Sequence, residues 1–127
     1  MTEPPDDPQA LRSRMRADLV AAMKARQPDA VAALRLVLAA FDNAEAVLTS
    51  ALSRDEVTSE FVAGAGAGLG AAEVSRRELT LDDLHDILRA QIGEWTAEAH
   101  ALESYGRADA AARSLREADL VRTYLPA

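Results

Sequence analysis

An all-α fold is what this 127-residue sequence predicts, and three observations predict it. Apolar residues recur at helical spacing in four separate stretches, each able to bury one face. Alanine, the strongest helix former, is abundant, while aromatic residues are few: Phe41, Phe61, Trp95, Tyr105 and Tyr124. Helix-start and helix-stop residues stand at the ends of the stretches. The expected architecture is four-helix bundle-like, with two helical hairpins joined by a flexible Gly/Ala-rich connection and a core of alanine and leucine. Residues 1–7 are expected to be disordered and 8–127 to form one domain, within which 49–79 is a mobile linker with room for a short helical piece around Arg54–Val62.

The first stretch opens at Asp7-Pro8, an N-cap aspartate followed by proline at the first helical position. Leu11, Met15, Leu19, Ala22 and Met23 then form one stripe, and the stretch closes near Arg26-Gln27, before Pro28. The second runs from Pro28 to Leu48, with Val31, Leu34, Leu38, Phe41 and Leu48 on a face. At about 100° per residue, Glu45 falls near the middle of that face and Asn43 opposite it. A carboxylate in an apolar stripe needs a partner, and an arginine from another helix is the natural one.

The third stretch opens at Thr80, with Asp82, Asp83 and Asp86 where a helix N-terminus favours negative charge. That role accounts for the three carboxylates without a metal. Leu84, Leu88, Gln91, Ile92, Trp95, Ala99 and Leu102 form its stripe, with Trp95 as anchor and Gln91 in need of a hydrogen-bond partner. His85 and His100 are placed on polar flanks, four turns apart, too far to share a metal. The stretch closes at Tyr105-Gly106, where glycine suits the left-handed position after a helix. Arg107 to Leu125 is the fourth, with Ala108, Ala111, Leu115, Ala118, Val121 and Leu125 inward and Pro126 as its stop.

Between the hairpins lies Gly64-Ala65-Gly66-Ala67-Gly68-Leu69-Gly70. Alternating glycine is costly to order in a helix. The run is no dinucleotide fingerprint, since its spacing fails and no strand precedes it, and no Gly-Lys-Ser/Thr follows to make a phosphate loop.

The net charge of −7 is unevenly spread. Residues 1–10 hold three acids and no base, a net −3. Residues 11–41 set six bases (Arg12, Arg14, Arg16, Lys24, Arg26, Arg35) against Asp18 and Asp29, a net +4. Residues 42–127 set eight arginines against sixteen acids, a net −8. Overall acidity disfavours non-specific nucleic-acid binding, leaving only a local basic face in the first two stretches. The absence of cysteine excludes disulfides and thiolate chemistry. Residues 1–10, with three prolines, are unlike a signal peptide, and no stretch reaches the ~20 apolar residues of a membrane span. A cytoplasmic protein without membrane contact is the expectation. No nucleophile elbow, His-x-x-x-His or Ser/His/Asp arrangement is in view, so no catalytic residue, metal ligand or cofactor is assigned.

Specific strings add a resemblance. They are Leu11-Arg12, Asp18 through Arg26 (Asp-Leu-Val-Ala-Ala-Met-Lys-Ala-Arg), Ala33-Leu34-Arg35, Leu38-Ala39-Ala40 and Asn43-Ala44-Glu45. Leu79-Thr80, Tyr105-Gly106-Arg107-Ala108-Asp109, Leu115, Glu117 and Tyr124-Leu125-Pro126 follow in order. The set resembles the GatB/YqeY family, small helical proteins similar to the tail of the tRNA-dependent amidotransferase B subunit, and spans most of residues 11–126. The family pattern implies a helical N-terminal domain followed by a smaller three-helix domain. This sequence departs from it in ending after Tyr-Leu-Pro and in its longer glycine-rich connection.

The resemblance implies a non-catalytic helical binding module associated with tRNA-dependent amidation, contacting tRNA or the amidotransferase. Arg12, Arg16, Lys24, Arg26 and Arg35 would then face nucleic-acid phosphate, and Asn43, Glu45 and Arg107 would lie on a contact surface. Two other readings stand beside it. The family name implies a carbon–nitrogen ligase using glutamine as amido donor, and a leftover apolar helix face implies a self-associating homo-oligomer.

Overall fold

In the computed structural model, residues 5–63 and 78–127 are described, the side chains of 52–63 excepted. Four helices form and no strand occurs among the described residues: α1 (Pro8–Lys24), α2 (Pro28–Ala63), α3 (Leu81–Ser104) and α4 (Ala108–Arg122). The fold is all-α, and the helix starts follow the side-chain chemistry. Asp7 caps α1, its carboxylate accepting from the Ala10 N–H at 2.8 Å, with Pro8 at the first position. Thr80 and Asp83 form a reciprocal capping box on α3: the Asp83 N–H donates to Thr80 Oγ1 at 3.1 Å, and the Thr80 N–H to Asp83 at 2.9 Å.

Both hairpins turn through the same motif. After α1, the Gln27 N–H donates to Ala22 O at 3.0 Å and the Arg26 N–H to Met23 O at 3.2 Å. After α3, the Arg107 N–H donates to Leu102 O at 2.8 Å and the Gly106 N–H to Glu103 O at 3.0 Å. These paired bonds are the Schellman closure, which needs a left-handed residue just past the helix. Gly106 fills that position at φ 77° and Arg26 fills its counterpart at φ 55°.

Two compact units are distinguished. The first comprises residues 1–40 and 80–127, and the second residues 41–79, with α2 contributing to both. The core of the first unit is lean. Leu11, Met15, Leu34, Val37, Leu84, Leu88 and Val121 are fully or almost fully buried, and Trp95 is 4% exposed. In the second unit Phe41 and Leu79 are buried.

The helices differ from the sequence expectations at three places. The second helix does not end at Leu48 but runs to Ala63. Residues 49–63 hold hydroxyl side chains, which lower helix propensity, but no glycine or proline, which would break the ladder. The glycine run at 64–70 lies outside the described residues, as do residues 1–4. His85 is not on a polar flank: it is 7% exposed. Its spacing to Leu88, Ile92, Trp95 and Ala99 is that of the buried stripe itself. In α4 the buried face passes through Ala111, Ser114, Ala118 and Val121, while Leu115 is 40% exposed and Ala108 is also exposed. Small side chains let α4 lie close against α3, with which it packs. Close approach, rather than side-chain hydropathy, selects Ser114 over Leu115.

Candidate contact surface at the hairpin turns

Three contacts orient α4 within the first unit. Near its middle, Arg113 and Arg116 reach the Asp29 carboxylate at the start of α2, at 3.1 and 3.0 Å. Just past its end, Tyr124 Oη donates a hydrogen bond to Asp18 in the middle of α1. The partners of α4 thus step backwards along the α1–α2 hairpin as α4 advances, so α4 runs opposite to α1. The α1–α2 and α3–α4 turns therefore lie at the same end of this unit.

Tyr124 anchors the other end of that register. It is 4% exposed, and the Arg14 guanidinium lies over its ring, 5.8 Å from the centroid. Burial first, then the hydrogen bond to Asp18, pushes the phenol well above its ordinary pKa. Beside it, Ala21, Ala22, Ala25, Ala30 and Leu34 line a cavity of about 350 Å³ between α1, α2 and the end of α4. With Asp18 engaged by Tyr124, the cavity is bounded mainly by methyl groups.

The turn end is charged differently. Lys24, Arg26, Arg35 and Arg107 are exposed there or on the first turns of α2 beside it. Arg113 and Arg116 are tied to Asp29. Among the exposed acids of this end, Glu103 and Asp109 belong to the α3–α4 turn rather than to the α1–α2 turn. Against the α1–α2 turn lies an open groove of about 610 Å³. Its apolar walls are Met23, Pro28, Val31 and Ala32, its charged ones Arg26 and Arg35, and no acid lines it among the described residues. Arg35 Nη2 rests 3.9 Å from Met23 Sδ, which lays the guanidinium along the thioether. Met23, expected in the buried stripe of α1, is 49% exposed, because the last turn of α1 projects it into this groove.

Arg26 and Arg107 both break a local rule. Left-handed backbone costs a residue with a Cβ roughly 1–2 kcal/mol, which is why the position belongs to glycine. Arg107 is the N-cap of α4, where Ser, Thr, Asp and Asn are favoured; it makes no side-chain cap bond and brings positive charge to a helix N-terminus.

The sequence-assigned residues are thus divided. Lys24, Arg26, Arg35 and Arg107 are gathered at or beside the turn end. Arg16 is exposed on α1, two turns before Lys24. Arg12 is corrected: at 8% exposure its guanidinium is inside the fold and engaged there, so it is not available to phosphate. Asn43 is exposed and Glu45 half-buried and engaged, and both belong to the second unit. The sequence reading missed Met23, Pro28 and Val31 as surface residues. Clustering of Pro28 with two arginines around a helix stop was the available signal.

Among the described residues no cluster of His, Asp and Glu is arranged to hold a metal ion, and no helix is long and apolar enough to cross a membrane. In comparisons with family models, curated proteins and solved structures, none matches the chain.

Proposed function

We propose that this chain is a non-catalytic helical binding module that works through the turn end of its first unit, in the setting of tRNA-dependent amidation implied by its GatB/YqeY-like strings. The observation that supports it is the pair Arg26 and Arg107. Each stands where folding alone favours another residue, and both lie at one end of the same unit. Local choices that oppose stability concentrate at functional sites, where the side chain is kept for what it contacts.

The chemistry of the surface favours a protein over tRNA. Phosphate binding calls for dense positive charge, and burial of Arg12 removes one of the cations assigned to it. The exposed Met23 and the groove beside it supply apolar area that a phosphate backbone does not use. These features favour a protein as the partner, and the GatB/YqeY-like strings suggest one of the amidation machinery.

A binding titration of the chain against the purified amidotransferase of the same cell tests this, with bulk tRNA in parallel. Binding to the enzyme, weakened tenfold or more in an Arg26→Glu/Arg107→Glu variant, is the expected result. Unchanged binding by that variant, or binding to neither probe, refutes the reading. A tRNA complex with a steep salt dependence, lost in the variant, would keep the surface and change its partner.

A further inference from the structure

Beyond the location of the surface, the groove at the α1–α2 turn has features that select an occupant. We infer that it takes an acidic amphipathic helix of a partner protein, whose carboxylates flank an apolar ridge. This rests on the reading of the turn end as a contact surface.

The charge pattern comes first. Arg26 and Arg35 line the groove and, among the described residues, no acid does, so a carboxylate entering it meets two guanidinium groups. Guanidinium groups suit this task because their planar donors bind carboxylate in a fork. Arg26 stands in the turn before α2 and Arg35 nine residues later, in the first turns of that helix. A helix that carries carboxylates at i and i+7 presents both on one face, two turns apart.

The apolar walls set the remainder. Met23, Pro28, Val31 and Ala32 lie in the groove with the two arginines, so the partner must present apolar side chains beside its carboxylates, as i+3 and i+4 do on a helix. Met23 is suited to an incoming apolar group, since an unbranched thioether adapts to the shape it meets. One turn earlier on α1, Val20 is 49% exposed and extends the apolar strip. A second copy of this chain is the less favoured occupant, because two molecules of charge −7 repel each other.

The test uses the full chain and a labelled helical peptide with Glu at i and i+7 and Leu at i+3 and i+4, followed by fluorescence anisotropy. A control peptide replaces both Glu with Lys. The acidic peptide is expected to bind wild type at least tenfold more tightly than the control. An Arg26→Glu/Arg35→Glu variant should reverse that preference. Arg26→Gly/Arg35→Gln, which keeps a left-handed residue at the turn while removing both charges, should abolish it and guards against misfolding of the first variant. Met23→Ser should weaken the acidic peptide and leave its salt dependence unchanged.

Equal binding of the two peptides, or no response to either double variant, overturns the inference. If bulk tRNA binds wild type and is lost in the same variants while the acidic peptide does not bind, the contact surface stands and the helix is the wrong occupant. If the acidic peptide and tRNA both fail to bind, and the amidotransferase also fails, the surface reading falls with the inference.

Discussion

Arg26 and Gly106 occupy equivalent positions in two equivalent turns, so they form an internal comparison. Gly106 pays no steric cost at φ 77°, and a Cβ added there would meet nothing within 4 Å. The effect of Gly106→Ala is then conformational alone and should destabilise by about 1 kcal/mol. Arg26→Gly removes the same strain and should stabilise, by up to about 1 kcal/mol, since glycine's greater unfolded-state entropy offsets part of the relief. Urea unfolding of both variants measures this, and a destabilised Arg26→Gly would mean that the side chain contributes to folding. Tyr124 makes a second residue-scale prediction. Its phenol is held neutral by burial and by donation to Asp18, so its folded pKa lies above the unfolded one. The stability this provides is complete below the ordinary phenol pKa of about 10 and declines as pH rises beyond it. Tyr124→Phe should cost about 0.5–1.5 kcal/mol near neutral pH. It should also flatten the alkaline loss of stability above about pH 10, followed by circular dichroism.

At the scale of elements, the helix starts divide into those optimised for folding and one that is not. Asp7 and Thr80 each accept a backbone N–H that would otherwise lack a partner within the helix. Asp7→Ala should therefore cost about 1 kcal/mol. Arg107 caps nothing, and Arg107→Ser should gain roughly 0.5–1 kcal/mol by supplying an N-cap oxygen. Denaturant midpoints of these two variants should move in opposite directions. If Arg107→Ser also weakens partner binding, the same residue will have been measured as a cost to folding and a gain to contact. The ion pairs between α4 and Asp29 belong to this scale as well, but their groups are largely exposed. Pairs of that kind contribute at most about 1 kcal/mol, and their role is to set how α4 meets the start of α2.

For the first unit as a whole, a lean core makes each large side chain count. Alanine and leucine fill most of the interior, and Trp95 is its one tryptophan. Trp95→Ala should cost about 3–5 kcal/mol, through lost burial and the void left behind. Against a typical domain stability of about 5–15 kcal/mol, that is enough to lower the thermal midpoint sharply or abolish folding at growth temperature. Thermal unfolding followed by helical circular dichroism is the measurement, and a loss under 1 kcal/mol would show that Trp95 is not an anchor. The turn end should be insensitive by comparison: charge changes at Lys24 and Arg35 alter binding more than stability, since both are exposed.

Much of this was legible before any coordinates. The caps at Asp7 and Thr80, the left-handed Gly106, the four helical stripes and the anchor Trp95 follow from local chemistry, because each depends on residues within a turn or two of one another. The extent of α2 was misread because serine and threonine resemble a linker in composition, although only glycine and proline break a helix outright. Burial of Arg12 and His85, exposure of Met23 and Leu115, and the reach of Tyr124 to Asp18 were decided by tertiary structure. So was the gathering of Arg26 and Arg107 at one end. Periodicity states which residues share a face, but it does not state which part of that face another helix covers, and that depends on partners distant in the chain.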